Sequence, residues 1–323
     1  MKKNFMFLAL ALAGLASCNG GFKKGDSGLL YDIVDDKSGP LIKPKDFVSL
    51  NLIAKTDADS VMYSTYDVGR PAVMSMPEKI ANKGDLYSAL VMMSEGDSAV
   101  VKVNADSLFK KNARPPGFKG KYIVYDIKVN KVISKGTMSD QIFSAKIEDY
   151  FKVESTKAKA AEPGKIAKYI KDHNINATKT DSGLYYQITK PGSGPLPAKG
   201  DTVLVNYTGR FLNGKVFDTS IKEVAQKEKV FNPMAPYKPA PIPVGTGRVI
   251  PGWDQGLLLL NKGAKATFVI PSNLAYGERG MQVIPPFSPL AFEVEVMDII
   301  KPNPNAPKPV VPAMPGAAPQ IQK

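Results

Sequence analysis

The sequence predicts an α+β protein with two β-rich modules, each a twisted antiparallel sheet wrapped around one short helix, joined by a helical linker. Three observations lead there. Apolar residues alternate with polar ones at the period of half-buried strands: Val203, Val205 and Tyr207 against Thr202, Asn206 and Thr208, and Leu290, Phe292, Val294 and Val296 against Glu293 and Glu295. An early stretch of the chain matches a late one at two gapless separations, 155 and then 167 residues. Between them Ile142, Phe143, Ile147, Tyr150 and Phe151 recur at helical spacing.

A chain of 323 residues has room for two domains and a linker, and 43% hydrophobic with 23% charged residues is an ordinary globular composition. The formal net charge of +13 raises nucleic acid as a partner. The lysines are spread along the chain, however, with no arginine-rich helix and no aromatic-basic RNA motif. The charge reads as a solvated basic surface with weak attraction to anionic partners, and no nucleic-acid partner is expected. The single cysteine excludes an internal disulfide and argues against a structural zinc site. No metal and no cofactor are expected.

At the N-terminus, Lys2 and Lys3 precede the apolar run Phe5–Leu15, short for a bilayer span. The run ends in Leu15-Ala16-Ser17-Cys18, which resembles the lipobox of bacterial lipoprotein signal peptides. That resemblance implies a signal peptide over residues 1–18, lipidation of Cys18, and a tether over residues 19–26. It places the protein in the bacterial cell envelope, held to the membrane by its lipid anchor and facing the periplasm. A single acyl chain anchors only marginally, so several would be needed. An ordinary signal peptide with a chance cysteine is the competing reading.

The first module spans residues 27–133. Ser27-Gly28-Leu29-Leu30-Tyr31 corresponds to Ser182-Gly183-Leu184-Tyr185-Tyr186, and Ser38-Gly39-Pro40 to Ser193-Gly194-Pro195. Past a gap, Glu95-Gly96 faces Lys262-Gly263 and Ile123-Val124-Tyr125-Asp126-Ile127 faces Leu290-Ala291-Phe292-Glu293-Val294. The linker, residues 134–180, opens on the capping candidates Ser139 and Asp140. A basic, alanine-rich stretch, Thr156–Ala161, then separates its first helix from a second, short one starting near Pro163 and carrying Ile166, Tyr169 and Ile170. Apolar faces this narrow either dock on a neighbouring domain or join two copies as a homodimer. His173 lies in a polar run with no ligand partner and reads as a surface residue.

The second module, residues 181–301, has one short helix opened by Pro251-Gly252, with Trp253, Leu257 and Leu260 at i, i+4 and i+7. Proline suits a helix start because its missing N–H has no intrahelical partner there. The tail, residues 302–323, is rich in Pro and Ala and reads as polyproline-II or disordered.

Six blocks in Asp201–Ile300 carry the chemistry. They are Val205-Asn206-Tyr207-Thr208-Gly209, Val216-Phe217-Asp218-Thr219-Ser220, Val249-Ile250-Pro251-Gly252-Trp253-Asp254-Gln255-Gly256, Ala275-Tyr276-Gly277-Glu278-Arg279-Gly280, Val283-Ile284-Pro285-Pro286 and Leu290-Ala291-Phe292-Glu293-Val294-Glu295-Val296. In this order and near this spacing they resemble the FKBP-type peptidyl-prolyl cis-trans isomerases over the whole module. The resemblance implies a twisted sheet around a short helix, isomerase activity, and unfolded or proline-containing polypeptides as partners. It also implies roles. Trp253 would floor the pocket, with Tyr207, Phe217 and Phe292 as aromatic walls and Val249 and Ile250 along one side. The Ile250 N–H and the Tyr276 hydroxyl would donate to substrate, and Asp218 would orient a polar group at the edge.

Such chemistry needs no nucleophile. Rotation about a peptide bond faces a barrier of about 18–20 kcal/mol from amide resonance. The twisted transition state has lost that resonance and is less dipolar, so a dry apolar pocket favours it over the ground state.

The chain departs from the family pattern in two places. Ile221–Ala240 is longer, with a charged piece Lys222–Lys229 followed by the Pro-rich Asn232–Pro243, and Met281-Gln282 follows the Tyr276 loop where relatives have glycines. In the first module Leu52, Met62, Tyr63, Leu86, Phe109 and Tyr125 stand where the second has Tyr207, Phe217, Asp218, Trp253, Tyr276 and Phe292. That module is expected to turn over little or nothing and to act as spacer or client-holding domain. For the whole chain, a non-catalytic holdase that binds unfolded clients is the alternative.

Overall fold

A computed structural model describes residues 21–109, 114, 118, 120–281 and 283–302. The expected signal peptide with Cys18, the start of the tether and tail residues 303–323 lie outside the described residues. The chain divides into two units, Met1–Tyr66 with Pro71–Met138, and Asp67–Arg70 with Ser139–Lys323.

The first unit is built on seven strands, β1 (Lys23–Lys24), β2 (Leu30–Asp35), β3 (Phe47–Thr56), β4 (Val61–Ser64), β5 (Ala72–Ser75), β6 (Ser98–Asn104) and β7 (Tyr122–Ile133). They form one antiparallel sheet in the order β1-β2-β6-β7-β3-β4, with β5 also paired to β3. Short helices α1 (Thr65–Val68), α2 (Leu86–Leu90) and α3 (Ala105–Phe109) connect them. Asp85 caps α2 by accepting from the Ser88 N–H at 3.0 Å.

After the long helix α4 (Asp140–Asp172), the second unit has β8 (Thr178–Lys179), β9 (Tyr185–Lys190), β10 (Thr202–Phe211), β11 (Val216–Thr219), α5 (Lys222–Lys227) and β12 (Ala240–Pro243). Helix α6 (Pro251–Gly256), β13 (Lys265–Ile270) and β14 (Leu290–Ile300) complete it. Its sheet runs β11-β10-β14-β13-β9-β8 with β12 on β10, the order of the first sheet element for element. The fold is α+β, two antiparallel sheets with a long helix between them in the chain.

The sheets agree in register too. Phe47 pairs with Ile133 across β3 and β7, and Thr202 pairs with Ile300 across β10 and β14, the same two separations the sequence shows. Both central pairs bulge at the same step, after Ser49 in one and after Leu204 in the other. A side-chain bond recurs as well: the Leu52 N–H donates to Thr65 Oγ1 and the Tyr207 N–H to Ser220 Oγ, each at 2.9 Å.

In the second unit the alternating residues put Val203, Val205, Leu290, Phe292, Val294 and Val296 on one buried face. Trp253, Leu257 and Leu260, all buried, close over that face from α6 and the turn after it. A Cβ at Gly252 would sit 2.4 Å from Ile270 Cγ2, so only glycine lets α6 lie this close to β13. The opposite face is covered in part by α4, whose Ile166 and Tyr169 pack with Val269 and Ala291.

That helix corrects one expectation. Thr156–Ala161 does not interrupt it and no second helix starts near Pro163: α4 is continuous over 33 residues with Pro163 inside. Ser139 caps it, its Oγ accepting from the Ile142 N–H at 3.3 Å. The alanines and lysines of Thr156–Ala161 are strong helix formers and supply no stop signal. Proline inside a helix costs about 3 kcal/mol. Apolar packing of Ile166 and Tyr169 after it, and the two hydrogen bonds of Glu162 to Ser272 before it, offset that cost. His173 ends the helix at the surface, its ring stacked on Tyr169 at 4.0 Å between centroids.

Candidate active site

Five segments of the second unit converge on one cavity of about 260 Å³. Tyr207 comes from β10, Phe217 and Asp218 from β11, Phe292 from β14, and Trp253 from α6. Val249 and Ile250 lead into α6, and Tyr276 stands on the loop after β13. These eight, singled out from sequence, all line it.

The aromatic rings are set edge to face. Trp253 is 2% exposed, and its ring meets those of Tyr207 at 5.1 Å and Phe292 at 5.2 Å, both at 83°. Phe217 meets Phe292 at 5.7 Å and 89°. T-shaped pairs put the positive edge of one ring on the negative face of the next, and each contributes about 0.5–1.5 kcal/mol beyond its area. The lattice leaves no gap at Gly209: a Cβ there would lie 2.7 Å from both Phe217 Cζ and Phe292 Cε1. Trp253 Nε1 is buried without a hydrogen-bond partner among the described residues.

Polar side chains share the lining with the rings, Asp218, Thr219, Asn232 and Arg248 among them. The Tyr207 hydroxyl donates to Asp218 Oδ2 at 2.7 Å. Burial pushes the Tyr207 hydroxyl far above the ordinary tyrosine range, and the negative charge of Asp218 adds to the shift. Tyr276 is raised by the same two causes in the same order. Both phenols therefore stay protonated at neutral pH and keep a proton to donate. Neither the Tyr276 hydroxyl nor the Ile250 N–H bonds to any group among the described residues. Both residues line the cavity, each with a donor left unpaired among the described residues.

What holds Ile250 in place was not legible as a site feature. Asp254, one turn into α6, accepts from the N–H groups of Gly245 at 2.6 Å, Thr246 at 3.3 Å and Gly247 at 2.9 Å. Its carboxylate pins the turn that leads into Val249 and Ile250. Ser220 and Thr219 do the same for Tyr207, whose N–H donates to Ser220 Oγ and whose C=O accepts from Thr219 Oγ1 at 2.8 Å.

Sequence reasoning also missed part of the lining. Val230, Asn232, Ala235 and Tyr237 reach the cavity from the long connection between β11 and β12, and Arg248, Met281, Val283 and Ile284 stand at its rim. The connection begins with helix α5 and is then braced by a stacked pair, Phe231 and Tyr237, at 5.3 Å and 9°. The Asn232 N–H donates to the Tyr237 hydroxyl at 2.7 Å. Its length and proline-rich composition are the signal the sequence offers, and they do not say what the connection lies against.

In the first unit the corresponding positions hold different chemistry. Leu52 is buried, Met62 and Tyr63 stand 45% exposed on β4, and Leu86, Phe109 and Tyr125 pack at the edge of the core. The register is kept, Ala54 pairing with Tyr63 and Tyr125 as Gly209 pairs with Asp218 and Phe292. With Leu52 at the position of Tyr207 and Tyr63 at that of Asp218, the phenol-carboxylate pair has no counterpart.

Residues 194–297 match the family model described as FKBP-type peptidyl-prolyl cis-trans isomerase. The chain is similar to the FKBP-type 22 kDa peptidyl-prolyl cis-trans isomerase of Escherichia coli strain K12, 41% identical over 145 residues, 44% of this chain and 62% of that one. It is similar to FkpA of the same strain, 39% identical over 139 residues, 43% of this chain and 45% of that one. The chain thus spans less than two thirds of the length of these bacterial relatives. It is 41% identical over 119 residues to FK506-binding protein 1 of Rhizopus delemar, 36% of this chain and 98% of that protein. Among solved structures, FkpA from Escherichia coli aligns with 51% of this chain and 75% of its own, at 32% identity and a TM-score of 0.41.

Proposed function

The chain belongs to the family of FKBP-type peptidyl-prolyl cis-trans isomerases, and from that premise we propose that its second unit catalyses cis-trans isomerisation of X–Pro bonds in exported polypeptides. The observation that carries this reading is the cavity itself, walled by four aromatic rings and supplied with two unsatisfied donors, the Ile250 N–H and the Tyr276 hydroxyl.

A proline ring seated on Trp253 leaves its preceding amide among apolar walls. Desolvation raises the planar, dipolar amide more than the twisted one, so the barrier falls. The two donors then hold flanking carbonyls in the twisted geometry. Lowering the barrier by about 5–6 kcal/mol would accelerate the reaction roughly 10⁴-fold. Uncatalysed exchange takes tens to hundreds of seconds, slow enough to limit folding. All of this is binding and desolvation, with no covalent step.

The test is protease-coupled isomerisation of a Leu-Pro or Phe-Pro peptide by the full chain beside its Phe217→Ala variant. Turnover that collapses in the variant supports the second unit as the isomerase and the first as inactive. Turnover equal in both proteins would overturn the assignment.

The shared strand order and register of the two sheets support reading them as two copies of one module. A second function, holding unfolded clients, is favoured by the apolar side chains exposed on the first unit, Val61, Met62, Tyr63 and Val73. Substituting these four by serine should weaken suppression of client aggregation while peptide turnover stays intact; unchanged suppression would exclude that surface. For location, the lipobox resemblance at Cys18 supports a lipid anchor facing the periplasm. Cys18→Ala should then move the protein from membrane to soluble fractions and abolish palmitate labelling.

A further inference from the structure

We propose that Glu162, on helix α4 and outside the cavity, is a positioning residue for the loop that carries Tyr276; this rests on the isomerase reading of the cavity. Glu162 is 8% exposed and reaches a residue 110 positions away. One carboxylate oxygen accepts the Ser272 N–H at 2.5 Å, the other the Ser272 hydroxyl at 2.7 Å. An ionised carboxylate is an acceptor only, and here both of its oxygens face donors of a single residue.

Ser272 is where the loop is fastened. It opens the short 3-10 turn Ser272–Leu274 directly after β13. Its own C=O accepts from the N–H groups of Ala275 at 2.9 Å and Gly277 at 2.8 Å. Those two residues flank Tyr276 in sequence. The Gly277 C=O in turn accepts from the Phe287 N–H at 3.0 Å, tying in the strand side of the rim. The path from Glu162 to the peptide units on either side of Tyr276 is therefore two hydrogen bonds long.

The helix is itself fixed. Ile166 and Tyr169, one and two turns beyond Glu162, are buried against Val269 and Ala291 on β13 and β14. A carboxylate delivered from such a base holds Ser272 at a set height above the sheet. Without it the buried Ser272 N–H and hydroxyl lose their acceptors, and the turn must move to regain them. A shift of about 1 Å in a positioning group can cost two orders of magnitude in rate. The function assigned to α4 is thus to set the geometry of one cavity wall, in addition to joining the units in sequence.

The experiment uses the full chain and four variants: Glu162→Ala, Glu162→Gln, Tyr276→Phe and the double variant Glu162→Ala with Tyr276→Phe. Glutamine keeps the length, can accept from the Ser272 N–H and can donate to its hydroxyl oxygen, so it serves as the conservative rescue. Two readouts are taken, kcat and KM on a Leu-Pro peptide, and hydrogen exchange of the 272–277 amides. Glu162→Ala is expected to raise exchange at Ala275 and Gly277 about tenfold or more. It is expected to lower kcat about tenfold with KM little changed, because the Tyr276 donor matters most in the twisted state. Glu162→Gln should restore most of both. The double variant should be no slower than Tyr276→Phe alone, since the residues act in series.

Exchange unchanged in Glu162→Ala sinks the positioning role whatever the turnover does. So does an additive loss in the double variant, which would mean Glu162 acts by some route other than Tyr276. An inactive wild type combined with fast exchange in Glu162→Ala would sink the isomerase reading and leave the positioning role standing. Should Glu162→Ala fail to fold, the comparison of Glu162→Gln with wild type decides: exchange raised tenfold there, with kcat unchanged, overturns the link to catalysis.

Discussion

The phenol of Tyr207 donates to Asp218 Oδ2 at 2.7 Å inside a cavity where burial governs how the phenols respond to pH. Burial and then the charge of Asp218 raise Tyr207 far above the ordinary tyrosine value, and Tyr276 is raised the same way. A raised folded value favours the neutral phenol. The stability each contributes is whole below the unfolded value of about 10 and is lost only as pH climbs through the folded one. The expected outcome is a kcat/KM flat from pH 7 to pH 10. A fall with a midpoint near pH 10 that disappears in Tyr276→Phe would contradict it.

Removing the donor should hurt more than removing a ring contact. Tyr207→Phe keeps the T-shaped contact with Trp253 but leaves Asp218 without its short bond. Hydrogen bonds to charged groups contribute about 1.5–3 kcal/mol when buried, and Asp218 is only half-buried, so a loss near the lower figure is expected. Urea unfolding of the full chain measures it, and a change within error would mean solvent takes over the bond at no cost.

Gly209→Ala is a test of packing. The added methyl would collide with Phe217 and Phe292 at 2.7 Å, and overpacking of this kind costs about 1–3 kcal/mol. The aromatic walls must part, so peptide turnover should fall with stability. An alanine variant as active and as stable as wild type would mean the walls are looser than their spacing indicates.

Asp254→Ala frees the turn before Ile250 by removing the acceptor of three N–H groups. Thr246 and Gly247 are exposed and can turn to water, so the stability loss should stay near 1 kcal/mol. The larger effect should be kinetic, a drop in kcat/KM of about tenfold through a misplaced Ile250 N–H. Steady-state kinetics beside thermal unfolding separates the two.

At the base of β10, Lys301 donates to Asp201 Oδ2 at 2.6 Å, and the Ala198 N–H adds a second bond at 2.8 Å. The ammonium first, and the amide second, hold the Asp201 carboxyl below the ordinary carboxylate range. Because the folded value is depressed, this contribution is present above the unfolded value of about 3.9 and fades as pH falls through the folded one. The melting temperatures of wild type and Lys301→Met should differ most near pH 7 and converge below pH 4. A gap that is constant with pH would show that the pair contributes packing only.

Much of this architecture was written in alternation and in spacing. Period-2 apolar residues marked β10 and β14, and the two separations of the internal match recur in the register of the central strand pairs, while the bulges after Ser49 and Leu204 left no mark in the sequence. The eight cavity residues could be named through the family resemblance that their contiguous blocks carry. Three other things could not be read. Pro163 looked like a helix start because local propensity carries no trace of the tertiary burial of Glu162, Ile166 and Tyr169 around it. Asp254 sat inside a recognised block, but its bonds to residues 245–247 depend on a turn whose direction the sequence does not state. Val230, Ala235 and Tyr237 follow no period, since a proline-rich connection is placed by what it lies against.

A ladder of main-chain hydrogen bonds is indifferent to the side chains it carries. The first sheet keeps the ladder of the second, bulge included, with Leu52, Met62 and Tyr63 seated where the second has Tyr207, Phe217 and Asp218. Descent can therefore rewrite the reactivity of such a domain while its scaffold is inherited intact. The same freedom runs in reverse. Four of the cavity positions, those of Tyr207, Phe217, Asp218 and Phe292, have an address on the first sheet, at Leu52, Met62, Tyr63 and Tyr125, so grafting these side chains starts from a frame already cut to receive them.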